Sequence, residues 1–263
     1  MPELPDVEAM RRYLEATSLH QKVEGVEVRD DYVLKGVTPP DLREALVGRE
    51  FRSTVRHGKN MLVELDEPPW LRLHFGMTGN LNYHRGEAPG LEHVRVLLRF
   101  SGGYRLAYLC QRKLGRISLP ESPEAFVQEQ GLGPDALSVD FDDFRRIMDG
   151  RRGRLKSALM NQHIIAGLGN VYADEALFQA RLHPLRTVDS LSERRLEALH
   201  HAMRDVLRTS IARGSDARDL PAGYLLHRRG EGEDCPRCGG TIERVKVNQR
   251  STYFCPRCQP TPD

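Results

Sequence analysis

No apolar run in this chain approaches the ~18 residues of a membrane-spanning helix, and its first residues lack the basic, apolar and small-residue succession of a secretory signal. The expected compartment is therefore the cell interior: cytoplasmic, and at the nucleoid if the partner is DNA. Internal repeats and low-complexity tracts are also missing, which argues against solenoids and disordered arrays. Cysteine is scarce: Cys110 stands alone and four others cluster near the end. That distribution does not fit a secreted disulfide framework. Lysine contributes only six of the 39 basic residues. The net charge of +2 is too small to mark a nucleic-acid binder by itself.

What is present is a chain of 263 residues, 39% hydrophobic and 29% charged, long enough for two globular cores. Its charge is unevenly spread. Between Ser101 and Pro120 stand Arg105, Arg112, Lys113 and Arg116 with no acidic residue. Between Arg145 and Lys156 stand Arg145, Arg146, Arg151, Arg152, Arg154 and Lys156 against Asp149 alone. Such runs serve either as solvated faces or as a polyanion footprint.

The opening residues, Met1-Pro2-Glu3-Leu4-Pro5-Asp6-Val7-Glu8, carry a chemical possibility. Removal of Met1 would leave Pro2 as a terminal secondary amine. An α-amino group titrates near ~8, so part of it is free at neutral pH to attack an aldehyde-like carbon and form an iminium, an electron sink. Glu3 is the adjacent proton donor or acceptor. The competing reading is a frayed terminus.

Pro5 to Leu19 reads as a helix, with Val7, Met10, Tyr13 and Leu14 at core-facing spacing. Short β-rich runs follow at Val23–Val28, Phe51–Arg56, Met61–Leu65, Trp70–Phe75, Val94–Phe100 and Tyr104–Leu109, with Pro39-Pro40, Pro68-Pro69 and Ser101-Gly102-Gly103 as turns. This spacing predicts a β-sandwich or barrel. After Pro120 the pattern becomes helical, with helices starting at Ser122 and spanning Phe141–Met148, Arg154–Gln162, Val171–Ala180 and Leu191–Arg213. Gly131-Leu132-Gly133-Pro134 is the expected hinge. The expected domains are therefore 1–132, 133–227 and 228–263.

Gly167-Leu168-Gly169-Asn170 has two readings. A dinucleotide fingerprint requires a third glycine where Tyr172 stands, and a βαβ context that is absent. The other reading is a tight turn into a helix whose backbone N–H groups suit a phosphate, with Asn170 reaching it. At the end, Cys235-Pro-Arg-Cys238 and Cys255-Pro-Arg-Cys258 flank a hairpin-forming stretch. Two Cys-x-x-Cys knuckles at this separation supply four thiolates for a closed, structural zinc site; the competing reading, a disulfide or redox pair, is disfavoured inside the cell. The hairpin presents Lys246, Gln249 and Arg250. Cys110 reads as a small buried residue.

Taken in order, these motifs resemble the bacterial formamidopyrimidine-DNA glycosylase and endonuclease VIII family over essentially the whole chain. They are Pro-Glu-Leu-Pro-Asp-Val-Glu, Arg56-His57-Gly58-Lys59, His74-Phe75-Gly76-Met77-Thr78-Gly79, Gln111-Arg112-Lys113-Leu114-Gly115, Gly167 through Leu177, and Gln249-Arg250-Ser251-Thr252. The resemblance implies an α+β multidomain fold: an N-terminal β-sandwich with a leading helix, a helix-two-turn-helix domain, and a four-cysteine zinc-finger hairpin. It implies a monomer that holds damaged double-stranded DNA in the cleft between its halves. One structural Zn2+ would sit on Cys235, Cys238, Cys255 and Cys258.

The implied chemistry is base excision with abasic-site lyase activity: a flipped nucleotide is attacked at C1′ by Pro2, and Glu3 helps to open the sugar ring. Lys59 is implied in acid and phosphate-binding work, and Arg250 as a phosphate ligand at the lesion. His93, Arg152, Lys156 and Asn170 are implied as backbone contacts, and Met77, Arg112 and Leu114 as wedges that fill the vacated stack. The plainer alternatives are a solvated hairpin lysine for Lys59, a core gap-filler for Met77 and a structural histidine for His93.

Three departures stand out. The wedge loop reads Cys110-Gln111-Arg112-Lys113-Leu114 where the family typically has aspartate, proline, two arginines and phenylalanine. Asp6 replaces a glutamate. The segment between Gly214 and Tyr224 is shorter than the loop that closes over 8-oxoguanine, so that base is expected to be a poor substrate. A non-catalytic damage-sensing relative is the alternative function; Pro2, Glu3 and Lys59 together favour the enzyme.

Overall fold

Alternating buried and exposed positions build the first half of the chain into two antiparallel sheets. The structure, a computed structural model, describes residues 2–87 and 90–261, so the state of Met1 lies outside it. The chain divides into two compact units: Pro2 with residues 6–131, and residues 3–5 with 132–261.

In the first unit, α1 (Leu4–Ser18) leads into β1 (Val23–Val28), α2 (Pro39–Leu46), β2 (Phe51–His57), β3 (Asn60–Leu65), β4 (Leu71–His74), β5 (Gly79–Arg85), β6 (Val94–Phe100), β7 (Tyr104–Cys110), β8 (Arg116–Ser118) and α3 (Pro123–Glu129). The strands form sheets of order β1-β6-β7-β5 and β2-β3-β4-β8. The inward residues of both sheets share one core with Val7 and Leu14 of α1. Phe51 meets Phe100 edge to face at 5.8 Å, the arrangement that ring quadrupoles favour.

Some details differ from the sequence reading. Pro39-Pro40 starts a helix instead of making a turn, because Thr38 and Asp41 form a capping box and proline suits the first helical positions. The edge strand β5 has the weak strand formers Asn80, Asn82 and His84, yet pairs with β7 from Gly79 to Arg85. Ladder pairing thus overrides propensity. The three-residue β8 is recruited by β4 in the same way. Tyr13 is 38% exposed, and its hydroxyl accepts the Tyr83 N–H at 2.8 Å.

The second unit contains α4 (Phe141–Met148), α5 (Leu155–Met160), α6 (Asn170–Gln179), α7 (Glu193–Ala212) and the hairpin β9 (Glu243–Val247) with β10 (Arg250–Phe254). Its central element is α6, buried without interruption from Tyr172 to Phe178. Leu4 joins this unit's core, and its N–H donates to the Gly167 carbonyl at 3.1 Å. A smaller core of Phe178, Leu225, Ile242, Cys235 and Cys255 supports the hairpin. Among the described residues, no helix is long and apolar enough to cross a membrane.

Candidate active site

At the start of α6 the backbone N–H groups meet the chain's own carboxylate. Glu3 is 1% exposed. Its oxygens accept from the backbone N–H groups of Gly169 at 2.6 Å, Val171 at 2.9 Å and Tyr172 at 3.2 Å. These are the otherwise orphaned donors of a helix N-terminus, which suits an anion. Gly169 is required here, since a Cβ would lie 2.4 Å from Glu3 Oε1. The glycine pair thus reflects close approach of an internal side chain, and the dinucleotide reading falls because α5, not a strand, precedes the turn.

Asn170 is likewise engaged within the protein. Its side chain donates to the Ser251 carbonyl at 3.0 Å and accepts from Lys156 Nζ at 2.7 Å. Lys156, expected as a contact to the nucleic-acid backbone, is fully buried. Its ammonium also reaches Thr252 Oγ1 at 2.6 Å and Asp174 Oδ1 at 2.6 Å. Two hydrogen bonds and one ion pair thus occupy the ammonium. Burial pushes the Lys156 ammonium down and the Asp174 carboxyl up, while each holds the other charged, with Arg229 on the far oxygen of Asp174 at 2.8 Å. Asp174 and Thr252 stood inside motifs quoted from the sequence without a role of their own, and Arg229 was not singled out. Only the charges of Asp174 and Arg229 hinted at a pair.

Arg152 and Arg250 are exposed and line one cavity of about 640 Å³ with Arg151, Arg154, Ser157 and Asn248. The hairpin tip turns through Asn248 and Gln249, both left-handed at φ 48° and 61°. Asn248 donates to Ser157 Oγ at 2.9 Å, tying the tip to α5. Of the residues the hairpin was expected to present, Lys246, Gln249 and Arg250 are all exposed.

In the first unit, Lys59 is half-buried in the β2–β3 turn. Arg56 donates to the Gly58 carbonyl at 3.0 Å and pairs with Glu8 of α1 at 3.3 Å. On the other flank Asn60 donates to the His57 carbonyl at 3.3 Å, and Arg72 holds Asn60 Oδ1 at 2.7 and 3.1 Å. Glu8, Arg56, Asn60 and Arg72 therefore fix the turn that carries Lys59. Burial, reinforced by Arg72, Lys59 and Arg116, lowers His74 to about 4 and keeps its ring neutral.

The half-buried Met77, exposed Arg112 and 41%-exposed Leu114 lie on two adjoining loops. The Arg112 N–H donates to Thr78 Oγ1 at 3.0 Å. A Cβ on Gly76 would meet the Leu114 carbonyl carbon at 2.4 Å. His93 is exposed, with a left-handed φ of 62°, and its carbonyl accepts the Cys110 N–H at 3.0 Å. Cys110 is fully buried, and the Gly115 N–H donates to its sulfur at 3.3 Å.

The sulfurs of Cys235, Cys238, Cys255 and Cys258 all lie within 4.8 Å of one another. Two of the pairs stand at 3.8 and 3.6 Å. Zn–S bonds of ~2.3 Å in a tetrahedron require sulfurs roughly 3.8 Å apart, so the donor set and its spacing fit that ion.

Comparison with known proteins gives a consistent result. Residues 1–117 match the formamidopyrimidine-DNA glycosylase N-terminal domain, 132–220 the H2TH domain of the same enzymes, and 232–261 the zinc finger found in FPG and IleRS. The formamidopyrimidine-DNA glycosylase of Pelotomaculum thermopropionicum is 36% identical over 98% of this chain and 99% of its own length. That of Pelobacter propionicus is 40% identical over 98% and 100%. Among solved structures, the Lactococcus lactis glycosylase bound non-covalently to abasic-site DNA superimposes with a TM-score of 0.89 at 29% identity, covering 99% of this chain and 100% of that one. MutM in complex with DNA containing carbocyclic 8-oxo-G gives 0.90 at 30% identity, with the same coverage.

Proposed function

The chain belongs to the formamidopyrimidine-DNA glycosylase family, and on that premise we propose that it excises oxidised or ring-opened bases through an iminium at Pro2 and cleaves the resulting abasic strand by β- and δ-elimination. It is a base-excision DNA glycosylase, and abasic-site lyase activity is typical of its family. The observation that carries the residue assignment is the seating of Glu3 on the α6 N-terminus. That contact holds the residue covalently next to Pro2, which supports reading the terminus as a chemical group and not as a frayed end.

With Met1 removed, the Pro2 nitrogen bonds to C1′ of a flipped nucleotide as the glycosidic bond breaks, and the base leaves with a proton. Glu3 takes the proton from the alkylated nitrogen and returns it to O4′. The C1′–O4′ bond then opens, and the nitrogen lone pair forms the iminium. The iminium draws electrons from C2′, which loses a proton as the C3′–O bond breaks and the 3′ phosphate departs. The extended conjugation then acidifies C4′, and loss of its proton expels the 5′ phosphate. Water releases the protein.

Lys59, held by its rigid turn, serves as acid and phosphate ligand. Arg250 and Arg152 take backbone phosphates, with His93 beside the wedge loops. Met77, Arg112 and Leu114 fill the vacated stack. Asn170 faces the phosphate chain only as an already oriented side chain, and Lys156 is the strut that orients it. Cys235, Cys238, Cys255 and Cys258 hold one zinc ion, whose closed thiolate site supplies rigidity to the hairpin and no reaction step. The modules of this reading are residues 1–132, 133–227 and 228–263, acting as a single copy on damaged duplex DNA.

Borohydride trapping on a duplex with one abasic site, using protein of known N-terminal mass, tests the reading. A covalent adduct is expected from protein with a free Pro2 and none from Pro2→Gly. Tight binding without an adduct from the free-proline protein would replace the enzyme with a non-catalytic damage sensor.

A further inference from the structure

The loop between β7 and β8 carries Arg112 and Leu114 out of the sheet, and its backbone is held in an unusually complete way. Arg95 donates to the carbonyls of Cys110 at 2.9 Å and Gln111 at 3.3 Å. Arg116 donates to those of Lys113 at 2.9 Å and Gly115 at 2.7 Å. Lys113 turns the loop in a left-handed conformation at φ 53°, which L-residues adopt only at a cost. Something outside the loop must keep it there.

That external point is Asp30, just beyond β1. One oxygen of its carboxylate meets both Arg95 at 3.1 Å and Lys113 at 2.7 Å. The other accepts the Tyr32 N–H at 3.2 Å. Its own N–H donates to the Arg95 carbonyl at 3.2 Å, so the carboxylate is anchored to the strand that supplies Arg95. The side chains of Asp30 and Arg95 are each only 15% exposed, so the pair is poorly screened and directional. Among the described residues Arg112 has no ion-pair partner, and Leu114 stands 41% exposed. The side chains at the tip are thus unengaged while the backbone beneath them is fixed at both ends.

We propose that Asp30 is the positioning residue of the DNA wedge: through Arg95 and Lys113 it pre-sets the loop so that Arg112 and Leu114 enter the stack without reorganising. This rests on the glycosylase reading above and extends it to how the nucleotide is flipped. A pre-set loop avoids the ordering cost that a mobile one meets on insertion.

The experiment compares wild type, Asp30→Asn and Lys113→Met on two substrates: an abasic duplex with 2-aminopurine beside the site, and the same abasic strand alone. A single strand has no stack to fill, so it needs the chemistry but not the wedge. Asp30→Asn is expected to slow the 2-aminopurine signal and duplex trapping roughly tenfold, the scale of losing a charged hydrogen bond, while single-strand trapping keeps its wild-type rate. Lys113→Met, a change at a half-exposed side chain, covers the case in which Asp30→Asn fails to fold, and should act in the same direction by a smaller factor. Equal losses on both substrates would make Asp30 a general structural residue and overturn the proposal. Unchanged duplex rates in both variants would also overturn it. Failure of the wild type to trap the single strand and the duplex alike would instead sink the Pro2 reading.

Discussion

Lys156 shows how a residue in a basic run can belong to the interior. Removing it would leave Asp174, itself 1% exposed, with Arg229 and the Tyr253 N–H on one oxygen and no cation on the other, while Asn170 and Thr252 lose their common donor. Breaking a buried pair from one side costs about 3–5 kcal/mol. Lys156→Met should therefore lower the unfolding free energy by that order, read from urea denaturation, with a fall in activity that follows the loss of Asn170 placement. An exposed phosphate ligand would leave stability nearly untouched. Sequence identified Lys156, Asn170 and the chemistry of Glu3 as important, but not which of them meet. Composition records charge, whereas partners such as Thr252 and Asp174 come from distant parts of the chain and are fixed only by tertiary packing. The same limit applied to Glu3, whose three N–H donors lie more than 160 residues away in sequence.

At the scale of elements, runs with strong periodicity were legible to within a residue or two, including β1, β6 and α4. Elements made by pairing or capping were not: β5 and β8 exist through their ladders, and α2 through Thr38 and Asp41. The segment from Gly214 to Tyr224 matters most for substrate choice. It is compact, with Asp216 capping the single turn Ala217–Asp219 and Leu220 buried. So short and self-contained a segment has little chain left to fold over a flipped purine. Single-turnover excision of 8-oxoguanine is therefore expected to be slower than that of dihydrouracil in otherwise identical duplexes. Faster release of 8-oxoguanine would show that another part of the molecule supplies the cap. The structure of MutM with carbocyclic 8-oxo-G concerns that relative.

For the whole molecule, a net charge of +2 provides little long-range attraction for DNA, so affinity must come from local clusters. The candidates form two groups of different physical kind. Arg152 and Arg250 are exposed and free to displace counterions from phosphates. Lys156, at 0% exposure, is not. Counterion release makes the logarithm of the binding constant fall linearly with the logarithm of salt concentration, with a slope that counts neutralised phosphates. Truncating a phosphate-contacting arginine should reduce that slope by about one, whereas removing an internal strut should not change it. Measured by fluorescence anisotropy on an abasic duplex from low to moderate salt, Arg152→Ala and Arg250→Ala should each flatten the line by about one, and Lys156→Met should shift it without flattening it. An unchanged slope for both arginine variants would move the phosphate footprint elsewhere. A flattened one for Lys156→Met would mean that the buried ammonium emerges to meet DNA, exchanging Asp174 for a phosphate. Lys156 and Arg152, from the same basic run, would then be doing the same work, and the distinction drawn from their burial would fail.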